Sequence, residues 1–292
     1  MSDRPDWAVE GRNWPHREAS RFVEAGGMDW HVQEKGQGPT ILLLHGAGAA
    51  THSWRDLMPI LAERAHVVAI DLPGHGFSGD PGSGGLTLPG MSRRVGGLVE
   101  AMGWRPALVV GHSAGAAVAL RLALDGRIGD AGIVAINGAL APFAGAVAPL
   151  FQGLAMGLFL NPFAIRVFAH AARSTARVER MIAGTGSRID ARGLDLYGAL
   201  FRKPGHVGGT LGMMANWDLM PLRRDLGRLA VPLTLIVGDT DRAVPPSVSE
   251  AVGGEVAGAR IVRMPGLGHL AHEEDAARVG AAVLVALPVA AA

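Results

Sequence analysis

The sequence predicts an α/β protein: a mostly parallel, doubly wound sheet with a helical lid inserted after its sixth strand. Three observations carry that expectation. Short apolar runs alternate with segments of helical spacing along most of the chain, the pattern of βα units. Leu108-Val109-Val110 runs straight into Gly111-His112-Ser113-Ala114-Gly115, and a helical pattern begins at Ala116, giving a strand, a tight turn and a helix in succession. Polar candidates also stand directly after three separate apolar runs, in the order Ser113, Asp241, His269. Residues just past the strand ends of such a sheet converge on one crevice.

Residues 1–21 are polar and punctuated by Pro5, Gly11 and Pro15, with Trp7 and Trp14 standing out. They read as an extended arm whose tryptophans fill surface grooves. Residues 22–25 and 28–34 flank Gly26-Gly27, a hairpin signal. Residues 40–44 form a continuous apolar run, as expected of a strand buried on both faces. The loop after it, His45-Gly46-Ala47-Gly48-Ala49-Ala50, is either a plain βα turn or a place where a backbone N–H approaches a ligand. Ala47 is the candidate donor.

Helical spacing over 53–64 places Ser53 as an N-cap. The strand 67–70 ends in Asp71-Leu72-Pro73-Gly74-His75-Gly76-Phe77-Ser78, a turn preset by Pro and Gly in which His75 reads as a brace. A helix at 88–102 precedes the strand 107–110, and 132–137 is the sixth strand. No charged residue occurs from Ala131 to Ile165. That length would allow a membrane span, but Pro142, Pro149, Asn161 and Pro162 argue for short helices of a lid, with an interfacial bilayer contact still open. The lid continues through a basic helical stretch to Trp217, and Met156, Met181, Met213, Met214 and Met220 would give it soft walls. A strand at 231–237, a helix at 247–256, a strand at 260–264 and a helix at 275–287 complete the pattern. The expected organisation is an arm at 1–21, a core at 22–140 and 218–292, and an apolar helical cap at 141–217.

Composition narrows the function. The 292 residues carry 27 basic and 26 acidic side chains, which gives no electrostatic case for nucleic acid. There is no cysteine, so disulfides and thiolate chemistry are excluded. The charged N-terminus lacks an apolar stretch behind it, so a cytoplasmic protein is expected. Neither a P-loop nor a clear metal-ligand set is present; His269-x-x-His272-Glu273 departs from the zinc-binding H-E-x-x-H pattern. No cofactor and no metal are expected.

The three strand-end residues match a nucleophile, an acid and a base. Serine is a poor nucleophile until a histidine takes its proton, and a carboxylate must orient that histidine. Asp239 competes with Asp241 as the acid, and His272 with His269 as the base. The setting Asp-Arg-x-Val-Pro favours Asp241, and Gly268 directly before it favours His269. Ala114, at a helix N-terminus, and Ala47 are the candidate oxyanion donors. The expected ligand-contacting residues are His45, Gly46 and His112 around the loop and elbow, and Phe143, Phe159, Phe163, Met214 and Trp217 in the lid.

With these motifs in place, residues 40–287 resemble the α/β-hydrolase superfamily. More narrowly, Asp3-Arg4-Pro5-Asp6-Trp7, Gly11-Arg12-Asn13-Trp14-Pro15, His31-Val32-Gln33 and Gly48-Ala49-Ala50-Thr51-His52-Ser53-Trp54-Arg55-Asp56 resemble the magnesium-chelatase accessory branch of bacteriochlorophyll biosynthesis. In the wider superfamily, haloalkane dehalogenases and epoxide hydrolases carry aspartate at the elbow, so Ser113 points to acyl chemistry. The resemblance implies a role beside magnesium insertion into a porphyrin, an apolar ligand of tetrapyrrole type, and chelatase subunits as partners. Two expectations follow: a serine hydrolase of an apolar acyl compound, or a non-catalytic porphyrin carrier that keeps the triad as architecture.

Overall fold

The structure, a computed structural model, describes residues 3–142, 157 and 161–288. Eight strands form one sheet: β1 (Ser20–Ala25), β2 (Met28–Lys35), β3 (Thr40–Leu44), β4 (His66–Ile70), β5 (Pro106–His112), β6 (Gly132–Ile136), β7 (Leu233–Gly238) and β8 (Arg260–Met264). Their order is β1-β2-β4-β3-β5-β6-β7-β8. The β1–β2 and β2–β4 pairs are antiparallel, and every pair from β4 to β8 is parallel. The chain winds to one side of β3 through β4 and then to the other through β5, which makes the C-terminal ends of β3 and β5 the switch point of the sheet.

The central strands are apolar throughout because helices cover both faces. One layer joins Leu42, Leu44 and Val109 to α2 (Leu88–Ala101) and α3 (Ala114–Leu124). The opposite layer joins Ile41, Leu43 and Val110 to α1 (Leu57–Ala62) and to α11 (Ala276–Ala286), the last helix. Between β6 and β7 lie α4 (Pro162–Ala171), α5 (Thr175–Gly184), α6 (Ala191–Phe201), α7 (Pro204–Ala215) and α8 (Met220–Asp225); α9 (Pro246–Glu255) and α10 (Ala271–Glu274) follow β7 and β8. Local sequence explains where these helices start. Asn161 accepts from the Phe163 and Ala164 N–H groups and Asp190 from Gly193 N–H, while Pro162 and Pro204 occupy the first turn, where a missing N–H costs nothing. No helix among the described residues is long and apolar enough to cross a membrane.

Two expectations need correction. The first helix begins at Leu57, after a separate 3-10 turn at Thr51–Trp54. Ser53 is therefore not its N-cap; its hydroxyl donates to Glu273 Oε1 at 2.7 Å, a long-range contact that local spacing does not encode. The arm is not simply extended either, since 3-10 turns form at Glu10–Asn13 and Arg17–Ala19. Trp14 is buried and donates through Nε1 to Thr51 Oγ1, and Gln33 Nε2 donates to Pro15 O at 2.6 Å. Glu10 pairs with Lys203 at 2.8 Å, and Gly205 N–H donates to Asp3 O. The arm thus ties the hairpin and the loop after β3 to the helices inserted after β6.

That insertion is also fixed to the core by α7. Gly76 N–H donates to His206 Nδ1 at 3.0 Å, so the proton sits on Nε2, which donates to Gly48 O at 3.0 Å. Gly209 lets the helix backbone touch the Asp71–Ser78 turn; a Cβ there would stand 2.0 Å from Gly74 O. Asp71 holds the turn itself, accepting from Thr51 N–H and Phe77 N–H and pairing with His31 Nδ1 at 2.8 Å. Burial pushes its carboxyl up, but the His31 imidazole and these donors outweigh burial and hold it below the usual carboxylate range.

Candidate active site

Ser113 sits between β5 and α3 with φ 50° and ψ −117°, a left-handed conformation that strains a non-glycine residue by about 1–3 kcal/mol. The turn exists because its neighbours lack side chains. A Cβ on Gly115 would lie 2.0 Å from Leu44 O, and one on Gly111 would lie 2.5 Å from the Ala116 backbone. The serine is therefore lifted clear of the sheet while α3 starts immediately beneath it. Ala114 occupies the first turn of that helix, where N–H groups have no intrahelical partner.

Asp241 and His269 meet above the ends of β7 and β8. His269 Nδ1 lies 2.7 Å from Asp241 Oδ2, and Asp241 Oδ1 accepts from Ala243 N–H at 2.8 Å and Val244 N–H at 2.9 Å. Both carboxylate oxygens are thus engaged, which fixes the carboxylate plane and with it the imidazole. The rival residues lie elsewhere. Asp239 Oδ1 accepts from Gly266 N–H and shapes a turn. His272 is fully buried, with Nε2 2.8 Å from Ser53 Oγ. Because Ser53 spends its one proton on Glu273, His272 Nε2 must be the donor of that pair. Burial pushes the His272 pKa down to about 3, reinforced by His269 and Arg55.

The His269 loop is further held by residues to which the sequence assigned no such role. Asn137, at φ 46° just past β6, donates through Nδ2 to Gly268 O and His269 O at 2.8 Å and accepts from Gly238 N–H at 2.7 Å. Ser187 Oγ accepts from Leu270 N–H. Glu273, the residue after His272, is buried among Arg55, Ser53 Oγ and Tyr197 OH. Burial pushes its carboxyl above the usual range, against the pull of Arg55 and the two hydroxyls. A side-chain amide after a strand, or a tyrosine in a helix, carries no local signal of such a role.

Ser113 and His269 line one cavity of about 620 Å³. Ala47, Ala114, His112, Met214 and Trp217 line it too. Neither the Ala47 nor the Ala114 N–H donates to an acceptor among the described residues. The far wall comes from the insertion: Phe168, Met181, Ile182, Tyr197, Phe201 and Met213. No lysine or arginine is among the described lining residues, and Asp218 is the one carboxylate there.

Three expected contact residues do not line the cavity. His45 is fully buried behind the loop, bonded to Gly46 O and accepting from Leu72 N–H at 2.8 Å. Gly46 serves close approach rather than contact, since a Cβ would lie 2.8 Å from His112 Nδ1. Phe163 is 73% exposed on the outer face of α4, whose buried residue is Ala169; an apolar helix does not announce which apolar side turns inward. Phe143 and Phe159 lie outside the described residues. Among the described residues no group of three or more His, Cys, Asp or Glu side chains is placed to hold a metal ion.

The site and the strand order define a class, and the family model of the alpha/beta hydrolase fold matches residues 39–276. The chain belongs to the α/β hydrolase fold family. Within it, the chain is 42% identical over 263 residues to the magnesium-chelatase 30 kDa subunit of Rhodobacter capsulatus, covering 89% of this chain and 92% of that protein. It is 28% identical over 262 residues to the pimeloyl-[acyl-carrier protein] methyl ester esterase of Methylococcus capsulatus, covering 86% and 97%. Two solved structures share the fold: an α/β hydrolase fold protein from Burkholderia ambifaria (TM-score 0.76, 23% identity, 91% of this chain and 97% of that one) and the epoxide hydrolase CorEH (TM-score 0.77, 20% identity, 91% and 97%).

Proposed function

We propose that the protein is a serine-dependent hydrolase of an apolar acyl compound, with Ser113 as nucleophile, His269 as base and Asp241 as its orienting acid. The observation that carries this reading is the Asp241–His269 pair at 2.7 Å, held over a cavity that Ser113 also lines. In the acylation step Ser113 Oγ bonds to the substrate carbonyl carbon as His269 Nε2 takes the hydroxyl proton. The Ala47 and Ala114 N–H groups donate to the oxyanion. Collapse breaks the bond to the leaving oxygen, which receives the proton from His269. Water, activated by the same imidazole, then releases the acid and restores Ser113.

The walls support an uncharged ligand. A free carboxylate entering this cavity would find no cationic side chain among the described residues and would meet Asp218, whereas an ester carries no charge to desolvate. Residues 141–217 act as a cap that selects the ligand, residues 22–140 and 218–292 form the core, and residues 1–21 strap the two together. The likeness to a magnesium-chelatase subunit supports work on a tetrapyrrole ester in bacteriochlorophyll synthesis, in the cytoplasm, with chelatase subunits as partners. A second reading, a tetrapyrrole carrier in which the triad is inherited architecture, is favoured by the size and apolarity of the cavity; a third, a general carboxylesterase, by the methyl ester esterase relative.

A fluorophosphonate probe separates these. Labelling of the protein, abolished by Ser113→Ala, is the expected result, and tryptophan fluorescence, to which the cavity-lining Trp217 contributes, should be quenched by an esterified porphyrin in both proteins. Quenching without labelling would leave the carrier.

A further inference from the structure

The outer surface of the insertion has a composition the cavity does not explain. On α4, Phe163 is 73% exposed, Val167 52% and Phe168 41%; on α5, Met181 is 37% exposed. Phe163 and Val167 are one turn apart and share a face. Arginines border this apolar strip: Arg166 on α4, Arg173 after it, and Arg177 and Arg180 on α5, all exposed, against the single acid Glu179. None of the four forms an ion pair among the described residues, and Arg180 donates only to Ala176 O. Exposed aromatic and aliphatic side chains edged by unpaired cations are the pattern of a helix that lies in a membrane interface. The strip also runs into the mouth of the cavity, because Phe168 and Met181 are at once exposed and part of its wall.

We infer that the outer face of α4 and α5 docks on an anionic phospholipid surface, so that an apolar ligand passes between bilayer and cavity without crossing water. Charge selects this occupant over a second copy of the chain. A twofold contact through the face would set four arginines against the same four, whereas anionic headgroups attract all of them. Phe163 and Val167 enter the headgroup boundary, and the Phe168–Met181 rim opens towards the acyl chains. The ligand route rests on the reading of the cavity above, but the docking itself needs no chemistry at Ser113.

Flotation of the full-length protein with vesicles tests this without substrate. Vesicles of phosphatidylcholine and phosphatidylglycerol in equal parts should carry the protein at low salt. Binding should fall on the order of tenfold with phosphatidylcholine alone or in high salt. Phe163→Glu with Val167→Glu should weaken binding to the anionic vesicles on the order of tenfold or more, and Arg166→Glu with Arg177→Glu should remove the preference for them. An unchanged thermal midpoint in both variants shows that the fold is intact. No flotation of the wild-type protein at low salt, or equal flotation of the variants, overturns the docking. So does a concentration-dependent dimer that Phe163→Glu with Val167→Glu abolishes in the absence of vesicle binding. Fluorophosphonate labelling without flotation removes the membrane and keeps the hydrolase; flotation without labelling does the reverse.

Discussion

At the strand ends, Asp241 uses both carboxylate oxygens and Asn137 both ends of its amide. Across the cavity, Ile182, Phe201, Met213 and Met214 present only carbon and sulfur. The two walls obey different physics. A hydrogen-bonded site loses function when one partner is removed, because the remaining polar atoms are stranded in a buried place. An apolar wall tolerates exchange of one side chain for another of similar volume. On the proposed hydrolase reading, the first wall would set which bond reacts and the second what fits.

That contrast is sharpened most by Asp241→Asn. It leaves the volume unchanged but removes the charge that orients His269, so ester turnover should drop on the order of 10³-fold or more, with a near-native thermal midpoint. Steady-state kinetics with a soluble ester checks it; a loss within tenfold would mean that the strand-end residues do not act as a unit.

Acid should weaken the buried supports behind both walls next. His206 and His272 are buried and neutral, with pKa values lowered by burial to about 4 and about 3. Their folded values lie below the unfolded one near 6.5, so the unfolded state binds more protons below that pH. Their stabilising neutrality is complete above pH 6.5 and is lost as pH falls, at about 1.4 kcal/mol per pH unit for each. The same direction holds for His45, His52, His75 and His112, each shifted down mainly by burial. Denaturant midpoints measured from pH 7 to pH 5 should decline steadily.

Tyr197→Phe probes the seam between the walls, removing the hydroxyl that donates to Glu273 Oε1 at 2.7 Å. A loss of about 1–3 kcal/mol is expected. A double-mutant cycle with Glu273→Gln should return a coupling energy above about 0.5 kcal/mol. The smallest effect belongs to the apolar wall. Met214→Leu should cost less than about 1.5 kcal/mol and change preference among esters of different bulk by no more than about tenfold, measured across a chain-length series.

The same division decides what could be read from the sequence. Strand runs and the two elbow glycines are local patterns, each of Ser113, Asp241 and His269 is marked by its own short motif after an apolar run, and the fold they imply is the one observed. The elbow must be written locally, because only glycine avoids the Leu44 carbonyl. Asn137, Ser187 and the Arg55–Glu273–Tyr197 cluster act across 70 or more residues of chain, so no window of sequence holds them. Even so, Ser53 and Arg55 lie in the stretch that resembles the chelatase-accessory branch, and Trp14 and Gln33 in two others. Their shared role is to join the arm, the insertion and the His269 loop. Phe163 misled for a different reason: hydrophobicity gives a helix a preference for burial, but not the side from which burial comes.

The conformation of Ser113 has a consequence for how this protein can change over time. A serine at φ 50° spends part of a margin that for a whole domain is only about 5–15 kcal/mol, and glycine would relieve the strain while ending any chemistry at Oγ. Stability and reactivity therefore pull on that one position in opposite directions. A descendant in which Ser113 had no chemical role would have a one-residue route to a sturdier fold, while the surrounding glycines would still be required to let the chain turn.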